Sequence, residues 1–215
     1  MMQKLLDKIA ENYPLTELPV GDKANLKASG MKFQIRAFHA KGLGHVSVMS
    51  AKGFFGLMRM DTLIVNPTTV DLPLYSYDRI FAMGNDTLIV ELYDTTLTPF
   101  HASVLSEVKD EFSHLPSRDP GTHWYDEIKL EESISLKGKK AHTHHFNELT
   151  EKHFNAYLAC ANKPVSDENA KREKANVYVE GLLEKGGPST DAFKKVLGKE
   201  ATATLFRKVL FGTKL

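Results

Sequence analysis

The chain has 215 residues, 42% of them hydrophobic and 26% charged, with a formal net charge of +1. That is enough apolar chain for a full core in one domain over residues 1–215, and the charge balance excludes a dedicated nucleic-acid binder, which carries a basic stripe. A lone cysteine, Cys160, excludes an internal disulfide; there is no apolar leader in MMQKLLDKIAENY and no run of spanning length, so the expectation is a cytoplasmic protein with neither membrane nor nucleic-acid partners.

Met2 to Tyr13 has helical spacing, with Leu5, Leu6 and Ile9 on one face, and Pro14 ends it. Residues 14–26 read as irregular. Three strands follow: Met31 to Phe38, which alternates, His45 to Ala51, and Leu57 to Val65, which Asn66-Pro67 breaks. Asp71 to Asp94 (DLPLYSYDRIFAMGNDTLIVELYD) then reads as a β-hairpin turning at Gly84-Asn85. Pro99 to Leu115 is helical and a sixth strand is expected over Ile128 to Leu136. AHTHHF reads as a solvated turn. Helices are expected over Asn147 to Asn162, Ser166 to Glu184, Ser189 to Leu197 and Lys199 to Phe211. Short turns imply mostly antiparallel pairing. The pattern predicts an α+β fold, an α/β/α sandwich with about six strands flanked by helices on both faces.

The hairpin holds the main chemical clue. Asp78 interrupts a run that otherwise looks like buried strand. A turn at Gly84-Asn85 would place it directly opposite Glu91. Two carboxyls on one half-apolar face are either solvated at a sheet edge, or buried so that one holds its proton near neutral pH and can donate it. Ser76 shares Asp78's face, and Tyr77 adds to an aromatic and methionine-rich sheet that is either core or a slot for a flat apolar ligand. Arg36, Arg59 and Arg79 fall on three strands. They are either solvated or grouped to hold the carboxylates of an acidic ligand. No Gly-rich loop joins a strand to a helix, and no His, Cys or acid cluster has a recognised ligand spacing, so neither a nucleotide cofactor nor a metal is expected.

Three stretches resemble the ferredoxin-dependent bilin reductases and their relative, red chlorophyll catabolite reductase. AFKKVLGKEATATLFRKVLFG (192–212) is similar to that family's closing helix pair, with Ala201 where an aromatic would stand. LPLYSYD (72–78) and LIVELYD (88–94) resemble its "LP-FG-D" strand and acidic partner strand. HWYDEI (123–128) resembles its "PWGE-F" segment. The likeness spans about residues 30 to 212.

The resemblance implies an α/β/α sandwich that holds a linear tetrapyrrole such as biliverdin between the sheet and the C-terminal helices. It implies radical reduction by single electrons from reduced ferredoxin or flavodoxin, with side chains giving protons and no bound cofactor. Asp78 falls on the family's central proton donor, Glu91 would tune it, and Asp61 and Asp191 are candidate second acids. Arg36, Arg59, Arg79, Tyr77 and Ser76 would contact substrate. The family's earlier glutamate falls at Met49 or Ser50, its occasional histidine at Asp61 or Thr62, and an acid before a proline at Gly187. A non-catalytic tetrapyrrole carrier or sensor is therefore the alternative.

Overall fold

The computed structural model describes residues 1–161 and 163–214. One eight-stranded antiparallel sheet forms the centre. Its strands are β1 (Leu15–Leu18), β2 (Asn25–Ala28), β3 (Met31–Ala40), β4 (Gly44–Gly53), β5 (Met58–Pro67), β6 (Leu74–Ala82), β7 (Asn85–Tyr93) and β8 (Ile134–Lys139). They lie in the order β1-β3-β4-β5-β6-β7-β8, and β2 shares the β3 edge with β1. From β3 to β7 the strands follow one another as a meander with short connections, while β8 pairs with β7 only after a long excursion through residues 94–133.

Strand parity divides the core. Val46, Val48, Leu63, Val65, Tyr75, Tyr77, Leu88 and Val90 point to one face, covered by α1 (Met2–Asn12), α2 (Ser103–Glu111) and α3 (Thr143–Ala159). Ile35, Met49, Ala51, Ile64 and Tyr93 point to the other. There α4 (Glu168–Lys185), α5 (Pro188–Leu197) and α6 (Lys199–Thr204), continued by a wider π-turn over Leu205–Leu210, close over them. The α/β/α sandwich is the predicted one. No helix among the described residues is long and apolar enough to cross a membrane.

Several expectations need correcting. Residues 15–18 and 25–28 are strands, not irregular chain; both are edge segments that borrow their pairing from β3, so their own short patterns carry little signal. The sixth strand lies later than expected, at Ile134–Lys139. AHTHHF is not a turn: α3 begins at Thr143, so His144 and His145 are helical. The expected end of that helix, Asn162, lies outside the described residues. The helix expected from Ser166 starts two residues later, at Glu168, where Asp167 caps α4, accepting from the backbone N–H groups of Asn169 (2.9 Å) and Ala170 (3.0 Å).

The β6–β7 turn is at Met83-Gly84, with φ of 50° and 74°, the pair of left-handed residues a type I′ hairpin requires. Asn85 instead joins the ladder, facing Ala82 on one side and Lys139 on the other. Asp78 therefore pairs with Ile89, and Glu91 with Ser76. The shift of two residues preserves parity. Glu91 stays on Asp78's face, as a diagonal neighbour.

Candidate active site

A cavity of about 310 Å³ lies between the second sheet face and the C-terminal helices. Its floor is the even-numbered side of β5 and β6 (Met60, Thr62, Ile64, Ser76, Asp78, Ile80) with Ile89, Glu91 and Tyr93 of β7 and Met49 of β4. Tyr178 and Leu182 of α4 and Phe206, Leu210 and Phe211 form the roof. Pro120 and Ser189, both exposed, mark the mouth. A second cavity of about 220 Å³ shares Ile89, Glu91 and Pro120 and extends the space along β8.

Asp78 is half-buried among apolar neighbours. Desolvation raises its pKa to about 6; the hydroxyl of Thr62, donated to Oδ1, opposes the rise, and the nearby Glu91 carboxylate adds to it. A carboxyl in this range exchanges its proton readily near neutral pH, which suits a general acid. Glu91 accepts a hydrogen bond from Tyr93 Oη at 2.6 Å. Tyr93 stacks on Tyr178 (centroids 4.2 Å apart), and Tyr125 meets Tyr93 edge-on at 5.6 Å. Burial holds all three phenols protonated, with pKa values above the ordinary tyrosine range. The floor thus joins two carboxyls to a wall of neutral phenols.

The segment after α2 supplies the cavity's positive charge. Arg118 lines it, tied to Ser135 by its backbone N–H (2.9 Å) and by Nη1 (3.1 Å). His123 lies flat on Tyr125, rings 4.9 Å apart and nearly parallel. Its buried Nδ1 makes no hydrogen bond; the closest carboxylate oxygen, Asp126 Oδ1, is 3.8 Å away, too far for one.

The roof is fixed by polar side chains of the sheet. His45, Ser47 and Asn66 donate to the carbonyls of Val209 (2.8 Å), Leu210 (2.7 Å) and Phe211 (2.7 Å). These are terminal helix carbonyls that lack intrahelical partners. Gly212, at φ +60°, follows them; a β-carbon there would lie 2.3 Å from the His45 ring. The only tryptophan, Trp124, packs on Gly181 of α4, where a β-carbon would come within 2.2 Å of its ring, and donates Nε1 to the Gly186 carbonyl at 3.1 Å. Lys171 of α4 is fully buried. Its ammonium donates to the carbonyls of Leu72 (2.5 Å) and Thr95 (2.8 Å), locking α4 to both ends of the hairpin.

The structure brings Asp78, Glu91 and Ser76 to the cavity and leaves the other sequence-derived candidates outside it. Asp61 is on β5 but odd-numbered, so it points to the α1 face, accepting from Ser50 Oγ at 2.6 Å. Asp191 is exposed on α5, outside the lining. Tyr77 is buried in the opposite core. All three arginines also have the wrong parity. Arg36 is exposed and pairs with Glu17 (2.8 Å), Arg59 is exposed over the Phe81 ring, and Arg79 is buried against Asp86 (2.5 and 2.7 Å). Tyr77 and Arg79 flank Asp78 on β6, so alternation alone sends them to the opposite face; for Asp61, Arg36 and Arg59 register decided this, and isolated strand sequences do not give register.

Thr62, Arg118, His123, Tyr125 and Tyr178 were missed. Arg118 and His123 sit in a loop without periodicity, and Tyr178 looks like an ordinary helix core position. His144, His145 and Glu148 have ligand atoms within 4.8 Å of one another, a proximity the turn reading did not foresee, but they lie on α3, across the sheet from the cavity.

No family model matches the sequence, and no curated protein matches it. Among solved structures, phytochromobilin synthase from tomato, crystallised in complex with biliverdin, superposes with a TM-score of 0.81. The match covers 99% of this chain and 82% of that one at 15% sequence identity. The chain has the fold of phytochromobilin synthase. The layered architecture expected from the resemblance to bilin reductases is thus found over the full described length.

Proposed function

We propose that this chain is a divergent ferredoxin-dependent bilin reductase, which reduces a linear tetrapyrrole such as biliverdin with Asp78 as its central proton donor. The observation that carries the reading is Asp78 itself. It is a carboxyl with a pKa raised to about 6, set on the floor of a mainly apolar cavity, in a fold shared with a synthase crystallised with biliverdin. Saturating one double bond takes two electrons and two protons. The electrons come from a reduced ferredoxin or flavodoxin, and the protons from side chains poised near neutral pH. Asp78 gives the first; Glu91, hydrogen-bonded to Tyr93, relays or tunes the second. Met49, Ile64, Ile80 and Phe206 give the ring system an apolar bed, and Arg118 at the lining supplies charge for its carboxylates.

The alternative, a non-catalytic tetrapyrrole carrier or sensor, is favoured by one observation. Where the family resemblance calls for acids, the cavity is lined by Met49 and Gly187, leaving Asp78 and Glu91 as its carboxyls among the described residues. Absorption spectroscopy separates the two. Biliverdin should give a shifted, sharpened visible band on binding, and anaerobic addition of reduced ferredoxin with its reductase should convert that band to a new bilin spectrum. Asp78→Asn should keep the bound band and slow conversion by about 10²-fold or more. A bound band that reduced ferredoxin leaves unchanged makes the protein a carrier; no band at all removes both readings.

A further inference from the structure

One end of the sheet carries a feature unrelated to the cavity. Lys27, Lys32, Lys52 and Arg59 lie directly opposite one another across β2, β3, β4 and β5, in the pairings Lys27↔Lys32, Lys32↔Lys52 and Lys52↔Arg59. All four are exposed, and among the described residues none meets a carboxylate within ion-pair distance. Like charges in direct cross-strand register destabilise a sheet. Strand spacing sets them about 4.8 Å apart in a near-straight row.

Just beyond that row, the β4–β5 hairpin tip presents bare hydrophobic side chains. Phe54 is 55% exposed, Phe55 108% and Leu57 68%; at the same sheet end the β6–β7 tip holds Met83 at 88%. Phe54, Phe55 and Met83 all have left-handed backbones (φ 50°, 55° and 50°), a conformation that bulky residues seldom adopt. The two phenylalanines are thus aimed into solvent, away from their own core. Lys139 and Lys140, both exposed, continue the positive charge beside the Met83 tip.

We infer that this sheet end docks peripherally on an anionic phospholipid surface, with Phe54 and Phe55 entering the interfacial layer and the Lys27–Lys32–Lys52–Arg59 row over the headgroups. The exposed side chains sit on two separate hairpin tips, so a protein partner would need a separate pocket for each. A soft, planar, anionic interface accepts protruding aromatics behind which cations are spread in a line. The expectation of no membrane contact rested on the absence of a spanning segment, which peripheral docking does not require.

Vesicle co-sedimentation tests this with the full chain. Vesicles of phosphatidylcholine with about one third phosphatidylglycerol should pull down the protein, and pure phosphatidylcholine vesicles should not; binding should weaken as salt is raised. Each of Lys32→Gln and Lys52→Gln should weaken binding about fivefold, the effect of one cation near such a surface. Phe54→Ser with Phe55→Ser should abolish it while leaving the thermal midpoint unchanged, since neither side chain is in the core. A Phe55→Trp variant should show a blue-shifted emission on binding that brominated lipid quenches. If the wild type ignores anionic vesicles, as it would were the patch built for an acidic protein, the inference is overturned. Vesicle binding that survives the double Phe variant overturns it equally.

Discussion

Thr62 and Asp78 face each other across β5 and β6, and the hydroxyl of one donates to the carboxylate of the other. This single bond works against the burial that pushes the acid's pKa upward. A Thr62→Val variant removes the opposing influence without changing side-chain volume much. The pH midpoint of Asp78 should move further up, seen as an alkaline shift in a carbon-13 NMR titration of labelled aspartates. An unchanged or lower midpoint would mean that the hydroxyl does not stabilise the charged form.

Asp78 also carries a stability signature. Its native pKa of about 6 exceeds the ordinary 3.8, so the folded state holds the proton more tightly than the unfolded chain does. Its penalty is therefore full above pH 6 and fades as pH falls through 6 toward 4. Asp78→Asn, which keeps an acceptor for Thr62, should stabilise the protein by up to about 3 kcal/mol at pH 8 and by little at pH 4. Urea unfolding at the two pH values measures the difference; a destabilised variant at pH 8 contradicts the account.

Two buried histidines act in the opposite direction. His45, donating to Val209, and His153, between Tyr75 and Glu132, are held neutral by burial, with pKa values of about 4 against an ordinary 6.5. The unfolded chain takes up these protons first. Stability is intact above about pH 6.5 and should be lost between there and pH 4, by up to about 3 kcal/mol per histidine. His45→Gln, which can still donate to Val209, should flatten that slope in calorimetric scans across the interval.

Arg118 is the arginine that reaches the cavity, while Arg36 lies on the opposite face of the sheet. Arg118→Met should weaken biliverdin binding about tenfold, with a shallower salt dependence, and Arg36→Met should leave it unchanged. Absorbance titrations at two salt concentrations check both arms.

Gly212 has no room for a side chain. Alanine there combines a left-handed backbone with a β-carbon 2.3 Å from the His45 ring, so Gly212→Ala should cost about 2–4 kcal/mol and lower the thermal midpoint by several degrees. A normal midpoint would show that the closing turn relaxes freely.

Much of the layered fold was legible because its long strands and helices announce themselves by period. Met31 to Ala40 alternates buried and exposed almost throughout, and the two cores follow from strand parity. Asp78 stood out as an acid in a strand of tyrosines. The rest of the site depended on register, which a one-residue displacement of a turn resets. Reading the turn at Gly84-Asn85 gave Asp78 the wrong direct partner; alternation along β6 sets Arg79 on the face opposite Asp78, but nothing local revealed that Arg36 and Arg59, on other strands, share that face. Arg118 and His123 reach the cavity through loop geometry, for which a sequence offers no periodic signal.

The three bonds from β4 and β5 to the closing turn also constrain how the molecule comes into being. His45 and its acceptor Val209 are 164 residues apart. During vectorial synthesis the sheet emerges long before the helices that cover its second face. Until then Met49, Ile64 and Tyr93 present a bare apolar surface to the cell, and Asp78 sits in water with no reason to hold a proton near neutral pH. The acid acquires its chemistry only when the closing turn docks, so a nascent or truncated chain lacking that turn should stick to chaperones and be silent toward the ligand.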